Sequence, residues 1–397
     1  MIPYGKHSID QQDILAVVDV LENQFLTQGK QVPAFEEALC QYTGAQYALA
    51  VNSATSALHV ACLALDVKAG DIVWTTPITF VATANCIRFC GADVDFVDIN
   101  PRSRNFCPTA LAQKLEIAQA EKRLPKAIIA VHFAGYSCEM QQIYTLCQQY
   151  GVKVIEDACH ALGGDYQGEK IGNCRYSDFT VFSFHPVKSI TTAEGGALLS
   201  NQQRLIERAT LFAKHGVTRE QAQMQDVVEG PWCYQQVELG FNYRMSDLQA
   251  ALGITQLAKL DAFITRRRTL ADNYFNHLEN LPLQLPDKKQ LAESAWHLYA
   301  VELKGQNRLQ VYQLLQQAGV HANVHYSPVH LQPYYQKLGF NKGDFPAAEH
   351  YAAHTLTIPL FQSMTDEQQL HVVQALEQAL EQALEQALEQ ALRDCTK

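Results

Sequence analysis

Val154-Ile155-Glu156-Asp157-Ala158-Cys159-His160, followed by Phe182-Ser183-Phe184-His185-Pro186-Val187-Lys188, is where the reading of this chain begins. An apolar run ends in an acid. About thirty residues on, a second apolar run ends in a lysine. Val152 to Ile155 is short and β-branched and follows a glycine, which predicts a buried strand, and Phe179 to Phe184 reads the same way. Both polar groups therefore stand where buried strands end. In open α/β sheets that rim is where ligands bind.

One chemistry needs such a pair. Pyridoxal 5′-phosphate forms a Schiff base with a lysine amine, and its ring nitrogen needs a carboxylate partner to stay protonated. Asp157 can be that carboxylate and Lys188 that amine. Read alone, a helix-capping aspartate and a lysine on a surface loop are the plainer reading of the two residues, so the rest of the chain has to decide.

The 397 residues are 47% hydrophobic and 18% charged, with a formal net charge of −10. That is ordinary globular material, enough for two domains. The acidic balance and the absence of a long basic run argue against nucleic acid and anionic membranes as partners. Arg266-Arg267-Arg268 is the densest basic cluster and reads as a solvated helix face. The eleven cysteines lack a CxxC pair, and several (Cys62, Cys86, Cys90, Cys147) lie among apolar residues. Reduced thiols in a cytoplasmic protein are expected, with no metal site. No secretory leader is read at the start, and no apolar run reaches the roughly 18 residues that span a bilayer.

Along the chain, residues 10–24 have helical spacing, with Ile14, Val17, Val18 and Leu21 on one face, and a second helix covers Phe35 to Tyr42. A strand at Tyr47–Val51 runs into Asn52-Ser53-Ala54-Thr55-Ser56-Ala57 and an apolar helix to about Leu65. Hydroxyls cap helices well, and a helix N-terminus with its free N–H groups binds phosphate. Capping alone is the plainer reading of Thr55 and Ser56; phosphate donors is the other. Strands follow at 71–75, 93–99, 127–133, 152–155, 179–184 and 195–200, alternating with helices. One of those helices begins near Phe80, a core residue or a ring-stacking one. Residues 165–170 carry a hairpin signal. This predicts an α/β fold with a mostly parallel seven-stranded sheet and helices on both faces.

After a helix over 201–217, a loop is expected over 218–240, then a long helix from the Ser246 cap to about Leu278. A linker over 281–289, strands at 296–303 and 321–326 and a helix at 308–318 predict a smaller α+β C-terminal domain. The expected division is 1–245 for the large domain with its N-terminal segment, 246–374 for the small domain, and 375–397 for a helical tail. The tail repeats Ala-Leu-Glu-Gln four times from Ala375. Its four-residue period overshoots 3.6, so the apolar stripe drifts by about 40° per repeat. The early repeats should pack and the later ones extend into solvent, with a coiled-coil partner as the alternative.

Taken together, Asn52-Ser-Ala-Thr-Ser-Ala, Glu156-Asp-Ala-Cys-His-Ala-Leu-Gly, Phe182-Ser-Phe-His-Pro-Val-Lys, Ala193-Glu-Gly-Gly and Gly240-Phe-Asn-Tyr-Arg make the chain resemble the DegT/DnrJ/EryC1/StrS sugar-nucleotide aminotransferases. The resemblance covers nearly the whole chain, from Leu26-Thr-Gln-Gly to Pro359-Leu-Phe. It implies a fold-type I PLP-dependent transferase with pyridoxal 5′-phosphate as cofactor. It also implies a UDP-sugar and L-glutamate as substrates and a homodimer with a shared site. By the same resemblance Lys188 is the Schiff-base lysine and proton shuttle, and Asp157 the ring-nitrogen partner. Ala54, Thr55, Ser56 and Ser183 hold the phosphate, Phe80 stacks on the ring, and His160 lies beside it. Asn242 reaches the neighbouring subunit's cofactor phosphate. Tyr4, Gln24, Phe25, Leu26, Thr27, His325 and Tyr326 line the sugar pocket. Pro186-Val187 stands where the family pattern has Ala-Ile, which leaves the lysine in place.

Within the family, Phe35-Glu-Glu-Ala-Leu-Cys and Thr75-Thr-Pro-Ile-Thr-Phe-Val-Ala-Thr-Ala-Asn are most similar to members that aminate C4 of a UDP-linked 4-keto-6-deoxy-N-acetylhexosamine. Those acting on a 4-keto-arabinose are the alternative. Relatives that catalyse sugar 3-dehydration carry histidine at the lysine position, so Lys188 argues against that activity. The intact Asp157/Lys188 pair argues against a non-catalytic sugar-nucleotide sensor.

Overall fold

A computed structural model describes residues 1–225 and 229–395, the side chains of 388 and 390–395 excepted. The chain opens with α1 (Gln11–Asn23), started by an Asp10/Asp13 capping box, and α2 (Gln31–Thr43). Strands and helices then alternate: β1 (Tyr47–Val51), α3 (Ala54–Ala64), β2 (Ile72–Thr75), α4 (Ala82–Phe89), β3 (Asp93–Phe96), α5 (Pro108–Ala120), β4 (Ala127–Val131), α6 (Met140–Tyr150) and β5 (Lys153–Asp157). The expected hairpin forms as β6 (Asp165–Tyr166) and β7 (Glu169–Lys170), before β8 (Phe179–Ser183), β9 (Gly196–Ser200) and α7 (Gln203–Ala213).

Seven strands make one sheet in the order β1-β9-β8-β5-β4-β2-β3. Its pairs are parallel except where β9 meets β1 and β8. Strand side chains alternate between faces. Ile129, Ile155, Val181 and Leu198 face α3, α4 and α7, whereas Ile128, Ala130 and Val154 face α5 and α6, and Phe182, Ala197 and Leu199 face α2 and α8 (Asp247–Leu257). Burial on both faces explains why these strands read as unbroken apolar runs. Because only β9 is reversed, the β8–β9 connection returns across the carboxyl ends of the parallel strands, and Lys188 lies on it.

The expected loop over 218–240 holds a short hairpin, β10 (Val217–Thr218) with β11 (Gln235–Gln236); residues 226–228 lie outside the described residues. The long helix expected from Ser246 is instead two helices, α8 and α9 (Leu260–Leu278). At the break the Lys259 N–H bonds the Gln256 carbonyl, a tighter turn, while the Lys259 amine is held by Asp10 and Asp13. The first turns of α9, through Leu260 and Ile264, pack under the large sheet. Its later turns, through Leu270, Tyr274 and Leu278, join a second core. That core is built on the antiparallel strands β12 (Leu283–Gln284), β13 (Tyr299–Leu303) and, after α10 (Arg308–Gln317), α11 (Pro333–Gln336) and α12 (Pro346–His354), β14 (Thr355–Ile358). The expected linker over 281–289 thus contains β12. The strand expected over 321–326 is only a bridge between Asn323 and Thr357, because those residues turn toward the cavity described below.

Two amphipathic stretches behave differently from each other. In α13 (Asp366–Cys395), Leu376, Ala379, Leu380 and Ala383 are buried and Leu384 is 51% exposed, as the drifting stripe requires. Residues 396–397 of the repeat tail lie outside the described residues. In α1 the predicted apolar face is turned outward, with Ile14 49% and Leu21 57% exposed. Polar pairing decides this. Buried Asp13 accepts from Thr255 Oγ1 (2.6 Å), Gln256 Nε2 (2.8 Å) and Lys259 Nζ (2.6 Å), which fixes that side of α1 on α8.

Candidate active site

The carboxyl ends of β5 and β8, the N-terminus of α3 and the residues around 323–326 enclose a cavity of about 520 Å³. At its floor stands Asp157, the last residue of β5 and almost fully buried. Thr83 Oγ1, on the first turn of α4, donates to Asp157 Oδ2 at 2.6 Å, and the Cys159 N–H donates to Oδ1 at 3.2 Å. Thr83 has one proton to give, so the 2.8 Å contact with Thr79 Oγ1 must be donated by Thr79. Asp157 is thus oriented from behind and keeps lone pairs for a cation in the cavity.

The Lys188 side chain also lines the cavity. Burial pulls its pKa below the usual amine value, against the opposing pull of Cys159 and Asp157. A less basic amine is the better nucleophile and proton acceptor near neutral pH. Lys188 Nζ lies 3.5 Å from His297 Nε2. His160 Nδ1 accepts from the Ala134 N–H at 3.3 Å, which assigns its proton to Nε2 and makes it the donor to Tyr326 Oη at 3.1 Å. His325 Nδ1 is paired with Thr357 Oγ1 at 2.9 Å, and its ring lies 5.2 Å from that of Tyr4.

The far end is an anion cradle. Ser53 caps α3 by accepting the Ser56 N–H at 3.1 Å, and the Ala54 and Thr55 N–H groups at the helix start have no intrahelical acceptor. Ser183 and Gly195 close the other side. A Cβ on Gly196 would fall 2.4 Å from the Ala54 nitrogen, so strand β9 approaches the helix start this closely only as glycine. Cradle, amine and carboxylate stand in one cavity, with Phe80 at its border just ahead of α4. A flat, anionic, aldehyde-bearing pyridine such as pyridoxal 5′-phosphate matches these groups.

Ten of the sequence-derived residues line this cavity: Tyr4, Ala54, Thr55, Phe80, Asp157, His160, Ser183, Lys188, His325 and Tyr326. Ser56 does not; its hydroxyl donates to Asn52 Oδ1 at 2.6 Å and stabilises the turn into α3. Gln24, Phe25, Leu26, Thr27 and Asn242 lie outside the cavity of a single chain. The 24–31 loop is tied down by Asp247, which accepts from the Gly29 and Gln31 N–H groups at 2.8 Å each. Thr83, Glu194 and His297 were not legible in advance. The i, i+4 spacing of Thr79 and Thr83 was a usable signal; His297 carries none, since it arrives from the segment ahead of β13, far along the chain.

Burial and the nearby Lys188 depress three imidazoles in and beside the cavity, His160 and His297 well below the ordinary histidine value and His325 to about 3. A group that is harder to protonate when folded makes stability rise with pH between its folded and unfolded values. Its contribution is complete above the unfolded value of about 6.5 and is lost as the pH falls toward the folded one, at up to ~1.4 kcal/mol per pH unit per group. Urea unfolding at pH 5 and 7.5 should show lower stability at pH 5. His325→Asn should reduce that difference; an unchanged difference would contradict the assignment.

The DegT/DnrJ/EryC1/StrS aminotransferase family is matched over residues 7–377. The UDP-4-amino-4,6-dideoxy-N-acetyl-β-L-altrosamine transaminase of Campylobacter jejuni is 39% identical over 374 residues, covering 92% of this chain and 93% of that protein. Among solved structures, Helicobacter pylori PseC, an aminotransferase of pseudaminic acid biosynthesis, aligns with a TM-score of 0.87 at 32% identity over 96% of this chain and 99% of its own. The PLP form of a putative sugar aminotransferase from Streptococcus pneumoniae aligns with a TM-score of 0.86 at 28% identity, over 96% and 99%.

Proposed function

The chain belongs to the DegT/DnrJ/EryC1/StrS aminotransferase family, and from that premise we propose that it moves the amino group of L-glutamate to C4 of a UDP-linked 4-keto-6-deoxy-N-acetylhexosamine. The product is UDP-4-amino-4,6-dideoxy-N-acetyl-β-L-altrosamine, a precursor of pseudaminic acid. The observation that carries the reaction type is the Lys188 amine, made less basic by burial, in one cavity with the Asp157 carboxylate and the α3 cradle. The C. jejuni and H. pylori relatives support the choice of sugar.

When bound, pyridoxal 5′-phosphate supplies an aldehyde carbon for amine exchange and a protonated ring that takes up the electron pair left by a departing Cα proton. The Ala54 and Thr55 N–H groups and Ser183 hold its phosphate. Asp157, braced by Thr83, holds the proton on the ring nitrogen. Lys188 Nζ takes the Cα proton of glutamate and later delivers a proton to C4 of the sugar from one face, which sets the configuration there. Tyr4, His325 and Tyr326 form the sugar side of the cavity, and the neutral imidazoles add no charge to repel the lysine.

A homodimer accounts for what one chain leaves undone. The apolar face of α1 and the 79% exposed Phe25 face outward, and residues 24–27 and Asn242 do not line the cavity around Lys188. A second copy laid on this face would bring them to its partner's site. The cysteines with described side chains are all free, and no described helix is long and apolar enough to cross a membrane. Both facts support the cytoplasm as the place of work.

Visible absorption of the purified protein, recorded before and after adding L-glutamate, tests the reaction. The cofactor band should shift to that of the amino form. A band indifferent to glutamate would remove glutamate as donor, and no band after incubation with pyridoxal 5′-phosphate would overturn the reading. Turnover should then be at least ~10-fold faster with the UDP-linked 4-keto-6-deoxyhexosamine than with a UDP-linked 4-keto-pentose, the size of effect expected from one missing carbon and an absent N-acetyl contact. The reverse preference would assign the enzyme to 4-amino-arabinose synthesis.

A further inference from the structure

His297, just ahead of β13, stands behind the cavity-lining Lys188 under unusual constraint. The segment 295–298 is bonded on both sides to the turn after β4: the Ala295 N–H to the Gly135 carbonyl (2.9 Å) and the Leu298 N–H to the Ala134 carbonyl (3.2 Å). Gly135, at φ 108°, permits this approach, since a Cβ there would lie 2.8 Å from the Trp296 nitrogen and 3.0 Å from that of His297. Behind the segment, the fully buried Arg267 of α9 donates from NH1 to the carbonyls of Trp296 (3.1 Å), His297 (3.4 Å) and Leu360 (3.1 Å). A guanidinium buried among carbonyls, a glycine-dependent crossing and two bonds to the turn after β4 all hold the backbone that carries this imidazole.

That imidazole has only one side-chain contact of hydrogen-bonding kind, its Nε2 with Lys188 Nζ at 3.5 Å; Nδ1 is buried with no partner among the described residues. Buried ring nitrogens without partners are uncommon. Resting on the reading of Lys188 as the reacting amine, we propose that His297 is a positioning residue for that lysine. Its Nε2 accepts a hydrogen bond from the Lys188 amine whenever the amine is not covalently engaged, and holds it facing the cavity between successive proton transfers.

The chemistry fits both forms of the lysine. Neutral amine and ammonium each have an N–H to give, so Nε2 can accept throughout the cycle while the imidazole's own proton stays on Nδ1, the atom that lacks an acceptor. The histidine gains and loses no proton; the proton taken from Cα resides on Lys188 Nζ and leaves from it. Because the bond to an ammonium is the stronger, His297 favours the protonated lysine against the burial that opposes it. The other titratable groups around the amine are Asp157, Cys159, His160 and His325.

The test compares wild type with His297→Leu, which removes the acceptor, and His297→Gln, which offers a carbonyl oxygen near the place of Nε2. In the cofactor-free proteins, acylation of Lys188 by a small amine-selective reagent is followed by peptide mass across pH. The midpoint should fall by ~0.5–1 pH unit in His297→Leu and return toward wild type in His297→Gln. In the loaded enzymes kcat should fall ~10–100-fold in His297→Leu with KM for the sugar within about twofold, and recover in part with glutamine. His297→Ala gives the same comparison if leucine disturbs folding. Equal midpoints in all variants, or a loss confined to KM, would overturn the proposal. A wild type that ignores L-glutamate would instead overturn the underlying aminotransferase reading, so the two failures are distinguishable.

Discussion

Lys188→Ala is expected to lower turnover by at least ~10³-fold while leaving the fold intact, because the substitution removes the reacting amine and the proton carrier together. No other amine is found among the cavity-lining residues to take over. The variant should still take up pyridoxal 5′-phosphate, since the α3 cradle and Asp157 are untouched, and its thermal midpoint should not drop, since a poorly solvated amine has been deleted. Two measurements decide. Steady-state transfer should be undetectable, and washout of the Cα hydrogen of glutamate into solvent should cease. Turnover at the wild-type rate would end the assignment of Lys188, and with it the mechanism.

Asp157→Ala is expected to impair binding and rate together. The carboxylate is one of two acids lining the cavity, with Glu194, and the one at the end of β5; removing one partner of a buried charge pair costs about 2–4 kcal/mol, or ~30–1,000-fold in cofactor affinity. Saturating cofactor should not restore full activity, because the ring nitrogen would no longer keep its proton. Asp157→Asn separates the two effects. Its amide oxygen can still accept from Thr83 Oγ1, now 2.6 Å from Oδ2, so the cofactor should bind better than in the alanine variant while the rate stays low. An asparagine variant as active as wild type would show that Asp157 shapes the cavity and does not set the protonation of the ring.

The reaction chemistry was legible in linear sequence because it sits at strand ends. Runs such as Ile128–Ala130 and Val154–Ile155 must be apolar on both faces to lie in a covered parallel sheet, and a chain that leaves such a strand passes the ligand rim. Asp157 and Lys188 were found by that rule, and hydroxyls after β1 marked the α3 cradle. The turn around Ser56 reads less plainly. A hydroxyl at a helix start serves the backbone as readily as a ligand, and Ser56 is spent on Asn52.

Helix faces and domain crossings were decided elsewhere. Period alone put Ile14, Val18 and Leu21 of α1 on one face without saying where it points; the buried Asp13, gripped by Thr255, Gln256 and Lys259 some 240 residues on, turns that face outward. A run read as one helix from Ser246 is interrupted between Leu257 and Leu260, where the Lys259 amine meets the same Asp13. His297 joined the site through a contact that no spacing announces, brought from the segment ahead of β13, whereas Thr83, on the first turn of α4, carried only the weak signal of its i, i+4 spacing from Thr79. The sequence by itself determined the strands, their rim and the two reacting groups, because burial on both faces and strand termination are local properties. Which side chains brace those groups, and which apolar face is left for a second copy, only the tertiary structure decided, because hydrogen bonds between distant segments outweigh local periodicity once the chain is packed.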